Sequence, residues 1–325
     1  MSQYSYKQAG VDVDKANLLG SIFKMNLKGK DSGMFAGYYE HPLIPEYYLV
    51  ACTDGVGTKA IPLVERGLYD IIATDLIAMN LNDLVCTGAF PMFFLDYIAI
   101  SDMDVDLVSK FVNSLNLQLS EYGCTLLGGE TSELKDLIKP NSFDVAGFAV
   151  GMVKKDNALV KKNVKEGDLI IGLQSSGAHS NGYTLIRQLH KDKKLSEREF
   201  EQTLAPTTIY TKEVLELCNK KQLKICANIT GGGILSNLSR VIPDGLCALV
   251  NKSKIPQNEL FNKLKSLTGE QEAFKTFNMG VGMCLIAANE NIKDILNTCK
   301  AYDPIILGEI IKDENPIGAR FGEWI

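Results

Sequence analysis

Apolar residues recur along the chain in runs of two kinds, short and continuous or spaced at helical intervals. Tyr47–Thr53 reads YYLVACT and closes on Asp-Gly, which predicts a strand ending in a turn. Tyr69–Cys86 has helical spacing and stops near Gly88. Pro91 opens MFFLDYIAI, a strand by its aromatic and branched content. Between Asp104 and Tyr122 the spacing places Val105, Val108, Val112, Leu115 and Leu119 on one face. Gly123 follows as a C-terminal cap, so this stretch predicts an amphipathic helix. CTLLGG and DVAGFAVGMV predict two more strands, and the polar stretch 131–143 between them predicts a loop.

Residues 154–167 are charged and lack an apolar face, which places a domain boundary there and divides residues 1–160 from 161–325. Beyond it the pattern alternates. Strands are predicted at 169–174, 223–229, 246–250, 281–287 and 304–312, with helices near 180–190, 208–220, 233–240, 257–267 and 291–301. That alternation predicts a layered α/β domain.

Length and composition agree with two globular domains: 325 residues, 46% apolar and 22% charged. Disordered and collagen-like chains are excluded. The charge sum, 34 − 39 = −5 with both signs interspersed, leaves no basic footprint for nucleic acid. The eight cysteines are scattered without a CxxC pair and predict buried free thiols in a reducing compartment. Three histidines leave little room for a histidine-rich zinc site. The N-terminus lacks the pattern of a signal peptide, and no apolar run reaches the roughly 18 residues of a membrane span, so the expectation is a cytoplasmic protein with no membrane partner.

Five glycine-bearing motifs and one helix face carry candidate chemistry. Thr53-Asp54-Gly55-Val56-Gly57-Thr58-Lys59 follows a strand. Its glycines admit an anion close to the backbone, its lysine reaches a phosphate, and its aspartate holds a divalent cation; a tight turn with incidental charges fits equally. Asp75, Met79, Asn82 and Asp83 share a helix face, as cation ligands or as a solvated stripe. Gly128-Gly129-Glu130-Thr131 ends a strand and suits a metal or nucleotide contact or a plain turn. Ser175–Tyr183 (SSGAHSNGY) and Ile229–Ile234 (ITGGGI) each join a strand to a helix whose free backbone N–H groups favour an anion. An ordinary N-cap explains the first, and close packing the second. Phe277–Met283 marks a bend or bulge. Carboxylates in the first half suggest Mg²⁺ with a nucleoside triphosphate, and the helix starts suggest a second phosphorylated ligand.

The whole pattern resembles the phosphoribosylformylglycinamidine cyclo-ligase (AIR synthetase) family. SYKQAGVDVD, TDGVGTK, ATDLIAMNLNDLVCTGA, FFLDYIA, GGETSE, FDVAGFAVG, SSGAHSNGYTLIR, APTTIY, NITGGGI and FNMGVGM carry the resemblance over nearly the full chain. It implies a two-domain α/β (α+β) fold: an N-terminal ATP-binding and dimerisation domain whose mixed sheet completes a barrel across a homodimer, and a C-terminal substrate-binding layered domain. It implies ATP-dependent cyclisation of formylglycinamidine ribonucleotide to 5-aminoimidazole ribonucleotide through an iminophosphate, with ATP and Mg²⁺.

By matching positions, the resemblance implies nucleotide contacts at Lys24, Asp54, Gly55, Gly57, Lys59, Asp75, Asn82 and Glu130, and metal ligands at Asp54 and Asp83. Substrate contacts fall at Ser176, His179, Ser180, Asn181, Thr230, Gly231 and Gly232. Asp83, Lys59 and His179 are the catalytic candidates, with His179 orienting or protonating the reacting centre. The chain departs from the family at 31–39, which has only two glycines, at 132–136 after GGET, and at Asn228, where a histidine is common. Two other readings are a different ATP-dependent kinase or synthetase on the same scaffold and an idle ATP-binding scaffold; SSGAHSNGYTLIR argues against the former, and the thinned glycine loop is all that supports the latter.

Overall fold

The computed structural model describes residues 4–12, 15, 18, 19, 22, 34–139, 142–313 and 318–323. Two mixed sheets organise them. The first contains β1 (Gly37–Glu40), β2 (Tyr47–Gly55), β3 (Phe90–Ile100), β4 (Thr125–Glu133) and β5 (Phe143–Lys154), in the order β1-β2-β5-β3-β4. Its neighbours are antiparallel except β3 and β4. Helices α1 (Ala60–Glu65), α2 (Tyr69–Val85) and α3 (Val105–Ser120) belong to this half, and α3 is the crossover that joins the parallel pair.

α2 is buried over most of its length, because it is covered by β2 and β5, by α3 and by the second half of the chain. That explains a helix apolar nearly all round rather than along one stripe. α3 is capped by Asp104, whose side chain accepts from the Leu107 backbone N–H at 3.0 Å. Its buried ridge is Leu107–Phe111–Leu115–Leu119, with Val108 and Val112 at the margin and Val105 exposed. The spacing therefore identified the helix but set its face about one residue off.

The second sheet has the order β11-β8-β10-β6-β9-β7. Its strands are β6 (Leu169–Gln174), β7 (Ile225–Asn228), β8 (Leu246–Val250), β9 (Val281–Ala287), β10 (Ile305–Lys312) and β11 (Ala319–Phe321). Only β11–β8 is parallel. β9 is buried at every position, as its unbroken apolar run requires. The helices of this half are α4 (Tyr183–Lys191), α5 (Glu197–Thr203), α6 (Thr211–Asn219), α7 (Gly233–Ser239), α8 (Glu259–Thr268), α9 (Glu270–Thr276) and α10 (Ile292–Thr298).

One expectation is corrected. The stretch expected as loop from residue 131 begins as strand: β4 continues to Glu133, paired with Ile100. β4 is an edge strand exposed along most of its length, so backbone pairing sustains it without apolar side chains. The short elements α1, α5, α9, β1 and β11 carry no apolar pattern strong enough to predict them. All eight cysteines are free and buried. Among the described residues, no helix is long and apolar enough to cross a membrane.

Candidate active site

The acidic half of the site is built from the end of β2 and the end of α2. Asn80, fully buried in α2, fixes Asp54: its Oδ1 accepts from the Asp54 backbone N–H at 3.1 Å, and its Nδ2 donates to the Asp54 carbonyl at 3.2 Å. Asp83 lies three residues further along α2, on the same side of the helix as Asn80. The charge of Asp54 acts on Asp83. Burial pushes Asp54 up to about 6. Burial, and then the charge of Asp54, push Asp83 up to about 8. A hydrogen bond of 2.7 Å from Asn228 Nδ2 to Asp83 Oδ1 and the charge of Arg240 work the other way.

Asn228 ends β7 and leads directly into the Thr230–Gly233 turn, so this bond joins the acidic pair to the glycine-rich half. Asn181 Oδ1 accepts from the Gly231 backbone N–H at 2.9 Å, tying SSGAHSNG to TGGG. Among the described residues the Asn181 Nδ2 group is buried without a partner. Asn237 Nδ2 donates to the carbonyls of Thr230, Gly231 and Gly233 at 3.2, 3.3 and 2.8 Å, and its Oδ1 lies 3.3 Å from Thr230 Oγ1. Gly233 has φ +69°, and a Cβ there would lie 2.0 Å from the Phe274 carbonyl oxygen in α9. Gly233→Ala is therefore expected to cost at least about 2 kcal/mol, from backbone strain plus displacement of α9. Urea unfolding of the variant measures it.

The helix face bearing Asp75 and Asn82 has a different occupation from the one the resemblance implies. Asp75 and Lys59 are both fully buried and form an ion pair at 2.8 Å. Lys59 Nζ also donates to the Ala205 carbonyl at 2.7 Å, and Asp75 Oδ1 accepts from the Thr207 backbone N–H and hydroxyl at 2.8 and 2.6 Å. Burial pushes the Asp75 carboxyl up and the Lys59 ammonium down, and their mutual attraction pulls each back. Asn82 Nδ2 donates to the Thr208 carbonyl, and its Oδ1 accepts from the Tyr210 backbone N–H, both at 2.9 Å. Lys59, Asp75 and Asn82 thus clamp the 205–210 segment onto α1 and α2. A sequence offset reports a shared face but not what covers it.

His179 belongs to the same junction. It is buried at φ +55°, and its Nε2 accepts from the backbone N–H groups of Ser176 and Thr208 at 3.3 and 3.4 Å. Nε2 is therefore unprotonated. Burial first, then the Lys59 charge, push its pKa from 6.5 down to about 3. A neutral acceptor of this kind does not donate a proton from Nε2 near neutrality, so the expected protonating role is corrected to a positioning one. The folded state binds its proton more weakly than the unfolded chain. The stabilisation is complete above 6.5 and is lost as pH falls from there towards 3. Between pH 7 and 5 this group alone removes about 2 kcal/mol. His179→Gln is expected to lack that loss in paired denaturation curves.

Of the remaining candidates, Ser176 Oγ donates to the Pro206 carbonyl, and Ser180 Oγ lies 3.2 Å from Thr207 Oγ1. Gly55 ends β2, and its backbone N–H donates to Asp54 Oδ1 at 2.8 Å. Gly57, at φ +66°, opens a short 3₁₀ turn with free space where a Cβ would stand. Glu130 is exposed on β4, 3.2 Å from Ser132 Oγ, and none of the polar contacts described above includes it. Lys24 and residues 31–33 lie outside the described residues. Asn80 and Arg240 were not among the expected site residues. A polar residue inside the apolar stretch IAMNL was the available signal for Asn80.

The family described as AIR synthase related protein, N-terminal domain, matches residues 31–153, and its C-terminal domain counterpart matches residues 165–318. The chain is 42% identical over 320 residues to the chloroplastic/mitochondrial phosphoribosylformylglycinamidine cyclo-ligase of Vigna unguiculata, covering 94% of this chain and 81% of that one. It is 39% identical over 308 residues to the phosphoribosylformylglycinamidine cyclo-ligase of Clostridium perfringens, covering 90% and 92%. Among solved structures, AaThiL complexed with AMPPCP and TMP aligns with a TM-score of 0.68 at 16% identity over 94% of this chain and 93% of that one. The HypE–HypF complex aligns with a TM-score of 0.68 at 15% identity, covering 94% and 96%. At such identities the structural likeness concerns the fold alone.

Proposed function

The chain belongs to the phosphoribosylformylglycinamidine cyclo-ligase family, and from that premise we infer that it uses ATP to close the imidazole ring of formylglycinamidine ribonucleotide, releasing 5-aminoimidazole ribonucleotide, ADP and phosphate. The observation that carries this to particular residues is the Asn228–Asp83 bond, which brings an acidic pair from one half against a glycine turn from the other.

The chemistry asks for such a junction. An amide-type oxygen leaves poorly. Transfer of the γ-phosphoryl group breaks its bond to ADP and makes an iminophosphate. A nitrogen of the same substrate then attacks that carbon, loses its proton, and expels phosphate. Ring closure is intramolecular, so positioning supplies much of the rate. Thr230–Gly233, Ser180 and Asn181 supply backbone and amide donors for the ribotide, and the unpartnered Asn181 Nδ2 is the clearest of them.

Asp54 and Asp83 fit a magnesium ion. They are desolvated carboxylates, with the charge of Asp54 acting on Asp83, a donor set of the kind that prefers a hard cation. Among the described residues no group of three or more candidate ligands gathers, which suits an ion completed by phosphate and water rather than an all-protein cage. Magnesium held there neutralises phosphate charge during transfer. Lys59 and Asn82 contribute by clamping residues 205–210, and His179 by fixing the Ser176 and Thr208 backbones.

We take the chain to divide at residues 1–160 and 161–325, with the acid pair in one domain and the ribotide turns in the other. We infer a homodimer, and the surface of the first sheet supports it: Phe90, Tyr97, Leu127 and Phe148 are exposed there. A second copy covering that face would bury them. Free, buried thiols favour a reducing compartment such as the cytoplasm. The test is incubation of purified protein with formylglycinamidine ribonucleotide, ATP and Mg²⁺. One aminoimidazole is expected per ADP; ADP release without aminoimidazole overturns the reading.

A further inference from the structure

The Thr230–Gly233 turn meets the ribotide through its backbone, so whatever decides which way that backbone faces also decides whether it can bind. We propose that Asn237 is the positioning residue of this turn: it draws the turn's carbonyls inward and leaves the Gly232 N–H and the Asn181 Nδ2 group free for the ribotide. The inference rests on the cyclisation reading above. Asn237 itself touches no substrate.

Asparagine is a poor interior residue for a helix, because its amide competes for backbone hydrogen bonds. Asn237 nevertheless stands inside α7, fully buried. Its amide is spent on the turn that precedes the helix. Nδ2 donates to the Gly233 carbonyl, one helical turn back, at 2.8 Å, and to the carbonyls of Thr230 and Gly231 at 3.2 and 3.3 Å. Oδ1 lies 3.3 Å from Thr230 Oγ1, so both ends of the amide are engaged.

A trans peptide carries its C=O and its N–H on opposite edges. The Thr230 and Gly231 carbonyls face Asn237, so the N–H groups of the same two peptides, those of Gly231 and Gly232, point away from it. The first N–H agrees: Gly231 donates to Asn181 Oδ1 at 2.9 Å. That bond also settles the Asn181 amide, because Oδ1 is taken and Nδ2 is the end left over, buried and without a partner among the described residues. Gly232 is buried too, and among the described residues its N–H has no acceptor. Asn181 Oδ1 rests on the N–H immediately before that of Gly232, so the two unspent donors belong to adjoining groups. A buried donor without an acceptor costs free energy, and an oxygen of the ribotide relieves both. With the Asn237 amide removed, nothing holds the Thr230 and Gly231 carbonyls inward, and the same peptides can turn acceptors towards an anionic ligand.

Asn237→Leu removes the amide at similar volume, and Asn237→Asp keeps the shape but has no donor for the carbonyls. Both are compared with wild type in steady-state turnover, in calorimetric titration with the ribotide and with ribose 5-phosphate, and in a thermal melt. Asn237→Leu is expected to raise the KM and the dissociation constant for the ribotide about 30-fold, the loss of two hydrogen bonds to a polar or charged ligand. Its kcat and its KM for ATP should stay within about threefold of wild type, the pattern of binding lost equally from ground and transition states. A role confined to stability would lower the melting temperature without that split. Ribotide affinity within about threefold of wild type overturns the assignment, as does an equal loss for ribotide and ATP. Should Asn237→Leu fail to fold by circular dichroism, Asn237→Asp decides by the same criteria. If wild type makes no aminoimidazole, the cyclisation reading fails and ribose 5-phosphate becomes the probe. Binding of that probe about 30-fold weaker to Asn237→Leu then upholds the role of Asn237, and binding within about threefold overturns it. Wild type that binds neither ligand overturns both.

Discussion

Asp83→Asn is expected to lower kcat by about three orders of magnitude while the protein keeps its fold and melting temperature. The loss corresponds to several kcal/mol of charge stabilisation around the transferred phosphate. The fold survives because of what surrounds the residue. Burial and then the charge of Asp54 already push the Asp83 carboxyl up to about 8, so an uncharged amide of the same shape takes away no charge on which the fold depends. The new amide oxygen can still accept from Asn228 Nδ2, as the carboxylate does at 2.7 Å. Turnover at saturating magnesium, measured beside a thermal melt, separates the two effects. Activity within a few-fold of wild type would remove Asp83 from the site, whereas unfolding would make it structural.

Lys59→Met is expected to act in the opposite manner, on stability first. Lys59 and Asp75 are buried at 2.8 Å, and removing one partner strands the other charge away from water. Breaking such a pair costs about 3–5 kcal/mol, whereas replacing both members by apolar or neutral groups is often near neutral. The double variant Lys59→Met with Asp75→Asn should therefore recover much of the loss in urea unfolding. Recovery should be incomplete, because Asp75 Oδ1 also accepts from the Thr207 backbone and hydroxyl and so helps to hold residues 205–210 in place. If Lys59→Met is as stable as wild type and only weakens nucleotide binding, the residue is a phosphate ligand after all.

These two residues show where sequence reading reaches and where it stops. TDGVGTK reads as an anion loop because of its glycines and terminal lysine, and the charge of its aspartate acts on Asp83. The lysine is taken away by Asp75 and by the Ala205 carbonyl, the latter 146 positions distant along the chain. No local pattern reports that cover. The same holds for His179: a histidine among small polar residues suggests proton chemistry until two backbone N–H groups occupy its Nε2.

Elements with strong apolar runs, such as α2 and β9, were legible because burial on all sides selects such runs. β4 was legible only in part, since an edge strand is held by its backbone and tolerates Thr131, Ser132 and Glu133. α5 carries a local signal in the sequence: Ser196 and Glu199 form a capping box, with the Glu199 backbone N–H donating to Ser196 Oγ at 3.2 Å and the Ser196 N–H to Glu199 Oε2 at 2.7 Å.

Oxygen tracing tests most directly whether this junction activates an amide oxygen by phosphorylation before closing the ring. Substrate labelled with ¹⁸O at the formyl oxygen is turned over with unlabelled ATP, and the released phosphate is analysed by mass. One ¹⁸O atom per phosphate is the predicted result, because the labelled oxygen leaves on phosphorus. Unlabelled phosphate accompanying aminoimidazole, with the label in water, would contradict it.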